Sequence, residues 1–330
     1  MQKTIKKLLK NLLSLCLLFF LTISLFELVF RFYLIDFYKN TFIALNGQEI
    51  LKTKKVDFLF FGDSFSALKN GYVDHLKSTF PDKTFINLSV PGIGIKQVNG
   101  YAENKIKTYN PDIIIYQVYV GNDLLDIKNL SNWSELSFSR NLYWQFSNYY
   151  LSLRYLNQSM SLFRQNLSVK ELNLDKQFSN ELYNKRELMF FKADQQFLEN
   201  TITLKADFKQ RYSQWKNTLK DFLENIPIDK KVYIVFVPHC AQINEFYFDN
   251  MLKIGATFSS QNEIINANYS FFENAKNDFK NYKNVSFFNP INYLQEKDKE
   301  NYRLYYQNDP HFNKNGQQEL ANYISTIINQ

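Results

Sequence analysis

Four short blocks of this 330-residue chain set reactive or hydrogen-bonding side chains beside glycine or proline. The first is Gly62-Asp63-Ser64-Phe65-Ser66, directly after an apolar run. A serine on a tight strand-to-helix turn stands where a crevice opens. Gly62 permits the turn, and the Ser64 N–H, near the start of the next helix, can point at a developing oxyanion. Taken alone, the block is equally an ordinary turn, because Gly, Asp and Ser all favour turns. The second block, 87–92, ends in Gly92, whose unobstructed N–H lets backbone approach a ligand; Gly94 is the competing choice. In the third, Gly121-Asn122-Asp123, the Asn122 carboxamide can donate to the same oxyanion or merely cap a helix. The fourth is Asn308-Asp309-Pro310-His311-Phe312-Asn313, followed by Gly316. Histidine suits a general base near neutrality, and an adjacent carboxylate can orient it and stabilise its charged form.

The elements that must position these blocks read as alternating strands and helices. Buried strands are expected at 56–61, 84–88, 112–118 and 232–237, with a weaker fifth at 285–288. Helical patterns fall at 71–79, 96–108, 204–223 and 317–328. This alternation predicts a mainly parallel sheet covered on both faces, with ligands at the carboxyl ends of the strands. The stretch from 127 to about 200 breaks the pattern. It reads as a helical insertion, with helices at 142–156 and 181–198.

Together, the four blocks resemble those of the SGNH, or GDSL, hydrolase superfamily, named for the Ser, Gly, Asn and His of four blocks in this order. The resemblance runs from about residue 56 to the carboxyl terminus, apart from the insertion. It implies a flavodoxin-like three-layer α/β/α fold and metal-free, cofactor-free ester chemistry. On that pattern Ser64 is the nucleophile, Gly92 and Asn122 join the Ser64 N–H as oxyanion donors, and His311 is the base. Two departures stand out. Gly121 and Asn122 are adjacent, where the family has one residue between them. The family's Asp three places before His is here Asn308, so Asp309 becomes the candidate orienting acid. The alternatives carried forward are an O-acyltransferase acting on envelope polysaccharide and a catalytically silent binding protein of the same fold.

The remaining chemistry-bearing residues carry less. His75 is expected to face solvent. His239, after the fourth strand, either lines the crevice as a substrate contact or is structural, and Cys240 is a weak alternative nucleophile. Cys16 and Cys240 are too differently placed to pair, and no Cys/His spacing suggests a metal site.

The amino-terminal residues 1–38 read as a cytoplasmic tip and transmembrane anchor, leaving 39–330 as the catalytic domain. Lys3, Lys6, Lys7 and Lys10 precede an uncharged run from Asn11 to Phe26, and the whole stretch from Leu8 to Leu34 is long enough to span a bilayer of ~30 Å. Beyond Lys10 its only charges, Glu27 and Arg31, are four apart and able to pair. The lysines place the amino terminus inside and the body outside the cytoplasm. No small-x-small cleavage site follows. The net charge of +7 is scattered rather than gathered into a stripe, which argues against a nucleic-acid partner.

Overall fold

The computed structural model describes residues 2–167 and 174–329; Met1 and the part of the expected insertion at 168–173 lie outside them. In chain order the elements begin with α1 (Gln2–Arg31), α2 (Lys39–Asn46), β1 (Phe58–Phe61), α3 (Tyr72–Thr79), β2 (Phe85–Asn87), α4 (Ile95–Tyr109), β3 (Ile113–Tyr119) and α5 (Asp123–Ile127). Four helices follow: α6 (Phe138–Tyr149), α7 (Ser152–Leu167), α8 (Lys185–Ala193) and α9 (Phe197–Thr203). The chain returns to the sheet through α10 (Phe208–Glu224) and β4 (Lys231–Val237). Then come α11 (Glu245–Lys253), α12 (Gln261–Ile265), α13 (Ser270–Asp278), β5 (Val285–Phe288), α14 (Ile291–Lys297) and α15 (Lys314–Ile328).

The five strands form one parallel sheet in the order β2-β1-β3-β4-β5. This is the flavodoxin-like doubly wound order, with its switch point between β1 and β3. Right-handed crossovers explain the layers. The chain steps from β1 to β2 in one direction and from β2 back past β1 to β3 in the other, so α3 and α4 fall on opposite faces. Accordingly α3 packs with α15, and α15 with α14, while α4 packs with α10 and α10 with α5. Strands covered on both sides need continuous apolar runs. Phe58-Leu59-Phe60-Phe61 is buried throughout, and Phe58 stacks on Phe85 of β2 at 4.6 Å.

The expected helix at 142–156 is interrupted, for a reason that lies far away in sequence. A continuous helix would direct the Leu151 and Ser152 N–H groups to carbonyls one turn back. Instead both donate to the Glu27 carboxylate of α1, at 2.9 Å each, so α6 ends and α7 begins there. Glu27 also pairs with Arg31 at 2.6 Å, and the Arg31 guanidinium reaches the Tyr149 carbonyl. The expected helix at 181–198 likewise divides into α8 and α9, around Asp194, whose carboxylate accepts the Gln196 N–H. The three helices between β4 and β5 were not assigned from the sequence.

Residues Thr4–Arg31 of α1 are long and apolar enough to cross a membrane, with a mean hydropathy of 2.5 and almost no burial against the rest of the chain. Only the far end of the helix joins the body, where Phe30 enters the core and contacts Phe37, Tyr38 and Tyr155.

Candidate active site

Among residues 58–66, Ser64 alone is not buried. The turn that lifts it is not the start of a helix, as the sequence suggests: α3 begins only at Tyr72. Ser64 instead rides a single turn closed by the Ala67 N–H donating to the Asp63 carbonyl at 2.9 Å. The Asp63 carboxylate braces it by accepting the Phe65 N–H. Gln117 of β3 holds the turn from behind, its Oε1 accepting from the Asp63 N–H at 3.1 Å and the Ser66 hydroxyl at 3.0 Å. Glycine at 62 follows from this close approach, since a Cβ there would lie 2.6 Å from Gln117 Oε1 and 2.7 Å from Ser66 Oγ. Burial pushes the Asp63 carboxyl up to about 6. Burial and the charges of Asp63 and Asp126 push Asp123, behind the same strand ends, well above the usual carboxylate range.

The loop after β2 is stitched to this turn. The Val90 N–H donates to the Gly62 carbonyl at 3.0 Å, and the Asn87 carboxamide donates to the Ser66 carbonyl at 2.7 Å. The structure separates the two candidate glycines. Gly94 is buried at the start of α4, its N–H directed to Gln97 Oε1 and its Cα against Asp126. Gly92 is partly exposed with φ +73°, a conformation that favours glycine, and its N–H has no partner among the described residues. The Ser64 N–H is likewise without one. Two backbone donors are thus left open on adjoining loops.

Asn122 sits at the N-cap of α5, at the end of β3, but its side chain makes no capping hydrogen bond. It is partly exposed, with Oδ1 buried and without a partner. It does not line the cavity that opens at Ser64.

The carboxyl-terminal block comes to the same place from the other end of the chain. His311 Nε2 lies 2.7 Å from Ser64 Oγ, and His311 Nδ1 lies 2.5 Å from Asp309 Oδ1. The imidazole stacks on Phe65, with ring centroids 4.7 Å apart. Burial disfavours charge on this ring, but the Asp309 carboxylate outweighs it, so the pKa stands above the ordinary imidazole value. Burial also works against the charge of Asp309. Hydrogen bonds from the His311 ring, from Asn184 and from the His311 N–H offset that and hold its carboxyl below the usual range.

The residues missed in the sequence are those that hold this loop. Asn184 Nδ2 donates to Asp309 Oδ2 at 2.6 Å, while its own Oδ1 caps α8 by accepting the Arg186 and Glu187 N–H groups. Asn308, where the family pattern has its acid, is tied to residues within the insertion. It accepts from the Ser179 N–H and donates to the Lys176 carbonyl, and its own carbonyl accepts the Asn184 N–H. Asn184 carried one local signal, an Asn three places before Glu at the head of a helical run; its reach to Asp309, 125 residues away, had none.

His239 is fully buried and does not line the cavity, which removes it as a substrate contact. Tyr119 lies tilted against Phe65 at 4.2 Å and stacks on His239 at 6.1 Å, so His239 lies behind two rings as seen from His311. Its Nδ1 accepts the Ala241 N–H and its Nε2 meets Glu187 at 3.1 Å. Cys240 is buried beside it. His75 is half-buried on α3 rather than solvent-facing, with Nε2 enclosed. Among the described residues no group of His, Cys, Asp or Glu is arranged to hold a metal ion.

Neither a protein-family model nor a curated protein matches the chain. Among solved structures, it is similar to a catalytic mutant of Axe2, an acetylxylan esterase from Geobacillus stearothermophilus. The identity is 14%, the TM-score 0.42, and the match covers 83% of this chain and 94% of that one. A family 3 carbohydrate esterase from Clostridium thermocellum aligns at 10% identity and a TM-score of 0.39, again over 83% and 94% of the two chains. These likenesses are too distant to carry a functional reading, which rests on the geometry above.

Proposed function

We propose that the chain is a serine esterase of the SGNH type, with Ser64 as nucleophile, His311 as general base and Asp309 as the acid that orients it. One observation carries this reading: the unbroken contact from Ser64 Oγ through the imidazole to the Asp309 carboxylate. In the reaction, Ser64 Oγ attacks the ester carbonyl as its proton passes to His311 Nε2. Charge builds on the carbonyl oxygen, where the open N–H groups of Ser64 and Gly92 stabilise it; the Asn122 carboxamide, at the end of β3 and outside the cavity lining, must turn toward that oxygen to join them. His311 returns the proton to the leaving alkoxide, and an acyl-enzyme remains on Ser64. Water, deprotonated by the same imidazole, then releases the acid. Hydrolysis is preferred to transfer because it requires no second substrate site.

The body is held at a membrane by α1, retained rather than removed, with the amino-terminal lysines on the cytoplasmic side. Retention is supported by the far end of the helix, where Glu27 and Phe30 serve the body's own hydrogen bonding and core. A removable leader has no such duty.

The test is a fluorophosphonate probe on the full chain in detergent. Label is expected on Ser64 and lost in Ser64→Ala. A folded protein left unlabelled would favour the silent binding protein.

A further inference from the structure

The cavity at Ser64 encloses about 410 Å³, and its wall bears three guanidinium groups, from Arg140, Arg154 and Arg186, against the single carboxylate of Asp126. Arg154, 8% exposed, bonds Asp126 through Nη1 at 2.7 Å, while its Nε and Nη2 are buried without a partner among the described residues. Arg186 approaches the same Asp126 oxygen only to 3.6 Å, and its Nη1 stands 3.7 Å from where a Cβ on Gly92 would be. Arg140 lies over Tyr143 and Trp144, which also line the cavity, with no side-chain hydrogen bond of its own among the described residues. Asp126 Oδ1 thus faces both Arg154 and Arg186, its Oδ2 is buried without a hydrogen-bond partner among the described residues, and three cations against this one carboxylate leave the described wall with a surplus of positive charge. An enclosed guanidinium with idle N–H groups is costly unless a ligand or water completes it. Its planar fork matches the two oxygens of a carboxylate or phosphate.

We propose that the ester cleaved at Ser64 belongs to an anionic substrate, one bearing a carboxylate or phosphate near the ester and seated by Arg140, Arg154 and Arg186. This inference rests on the esterase reading for its chemistry but not for its binding. Tyr143 and Trp144 give the same wall an apolar, ring-sized surface beside the charges. Hydrolysis here leaves an anionic alcohol and a free acid, with no oxidant or cofactor consumed.

Two measurements on the full chain in detergent test it. In the first, kcat/KM is compared for an acetylated uronate, an acetylated glycerol phosphate and a matched neutral acetyl hexose. At least one anionic ester is expected to exceed the neutral one by tenfold or more, and the better of the two identifies carboxylate or phosphate as the recognised group. That ratio should collapse in Arg140→Gln/Arg186→Gln and shrink with added salt. In the second, galacturonate and inorganic phosphate are titrated calorimetrically into Ser64→Ala, with and without the two arginine changes. Saturable binding lost with the arginines is expected. Labelled, active enzyme with no anionic preference and no such binding overturns the proposal. Arginine-dependent binding in a chain that neither labels nor turns over any ester would instead sink the esterase reading and leave the ligand class standing.

Discussion

The two halves of the candidate site are held by different means. The Ser64 turn and the Gly92 loop grow from neighbouring strands and are fixed by contacts a few ångströms deep in the sheet: Gln117 behind the turn, Val90 on Gly62, Asn87 on Ser66. The His311 loop has no strand beneath it. It is clasped by Asn184 and the segment 174–184, within the insertion, through side-chain bonds to Asp309 and Asn308. A site can therefore borrow rigidity from a sheet on one side and from an inserted helical segment on the other. The second kind of support is made of separable polar bonds, so damage there should be graded, whereas damage at the reacting atoms should be nearly complete.

Substitution can break that contrast. Ser64→Ala and His311→Ala should each cost on the order of 10⁵–10⁶ in kcat on acetyl-nitrophenol, since the two act as one unit. Asp309→Asn should cost roughly 10³–10⁴ by presenting the wrong tautomer. It should also move the pH profile. His311 must be neutral to take the Ser64 proton, and Asp309 raises its pKa; wild-type kcat/KM thus falls as pH drops through a value above the ordinary imidazole one, and in Asp309→Asn the fall shifts to lower pH. On the sheet side, Asn122→Ala should cost roughly 10²–10³ in kcat with little change in KM; near-normal turnover would remove Asn122 from the oxyanion site. The smallest effect belongs to the clasp. Asn184→Ala forfeits one hydrogen bond to a carboxylate and should lower kcat about tenfold. A loss as large as that of Asp309→Asn would show the clasp to be all-or-none and erase the proposed distinction.

The same contrast explains what could be read in the sequence. The strands were legible because burial on both faces demands unbroken apolar runs, and the turns because Gly and Asn mark strand ends. The five strands fell within or beside their expected ranges, and the parallel sheet follows from their alternation with helices, whereas the doubly wound order was implied only by the family resemblance. The break between α6 and α7 was illegible because its cause, Glu27, is more than 120 residues away. The helix after β1 was legible at 71–79, but its separation from Ser64 was hidden by turn chemistry that looks like a helix cap from residue types alone. His239 was ambiguous for a related reason: its position at a strand end is shared by crevice and core residues, and only the intervening rings of Tyr119 and Phe65 decide between them.

The Glu27 contact has a practical reach beyond the helices it joins. The junction it stabilises leads directly into the two helices that carry Arg140, Tyr143, Trp144 and Arg154, so the far end of α1 and the cavity wall are one mechanical piece. Trimming the chain to a soluble body beginning near Lys39 would strip the Leu151 and Ser152 amides of their acceptor and take Phe30 from the core. Under the proposed membrane anchoring, the cavity is mounted on α1 like a tool on a bracket rather than a ball on a string.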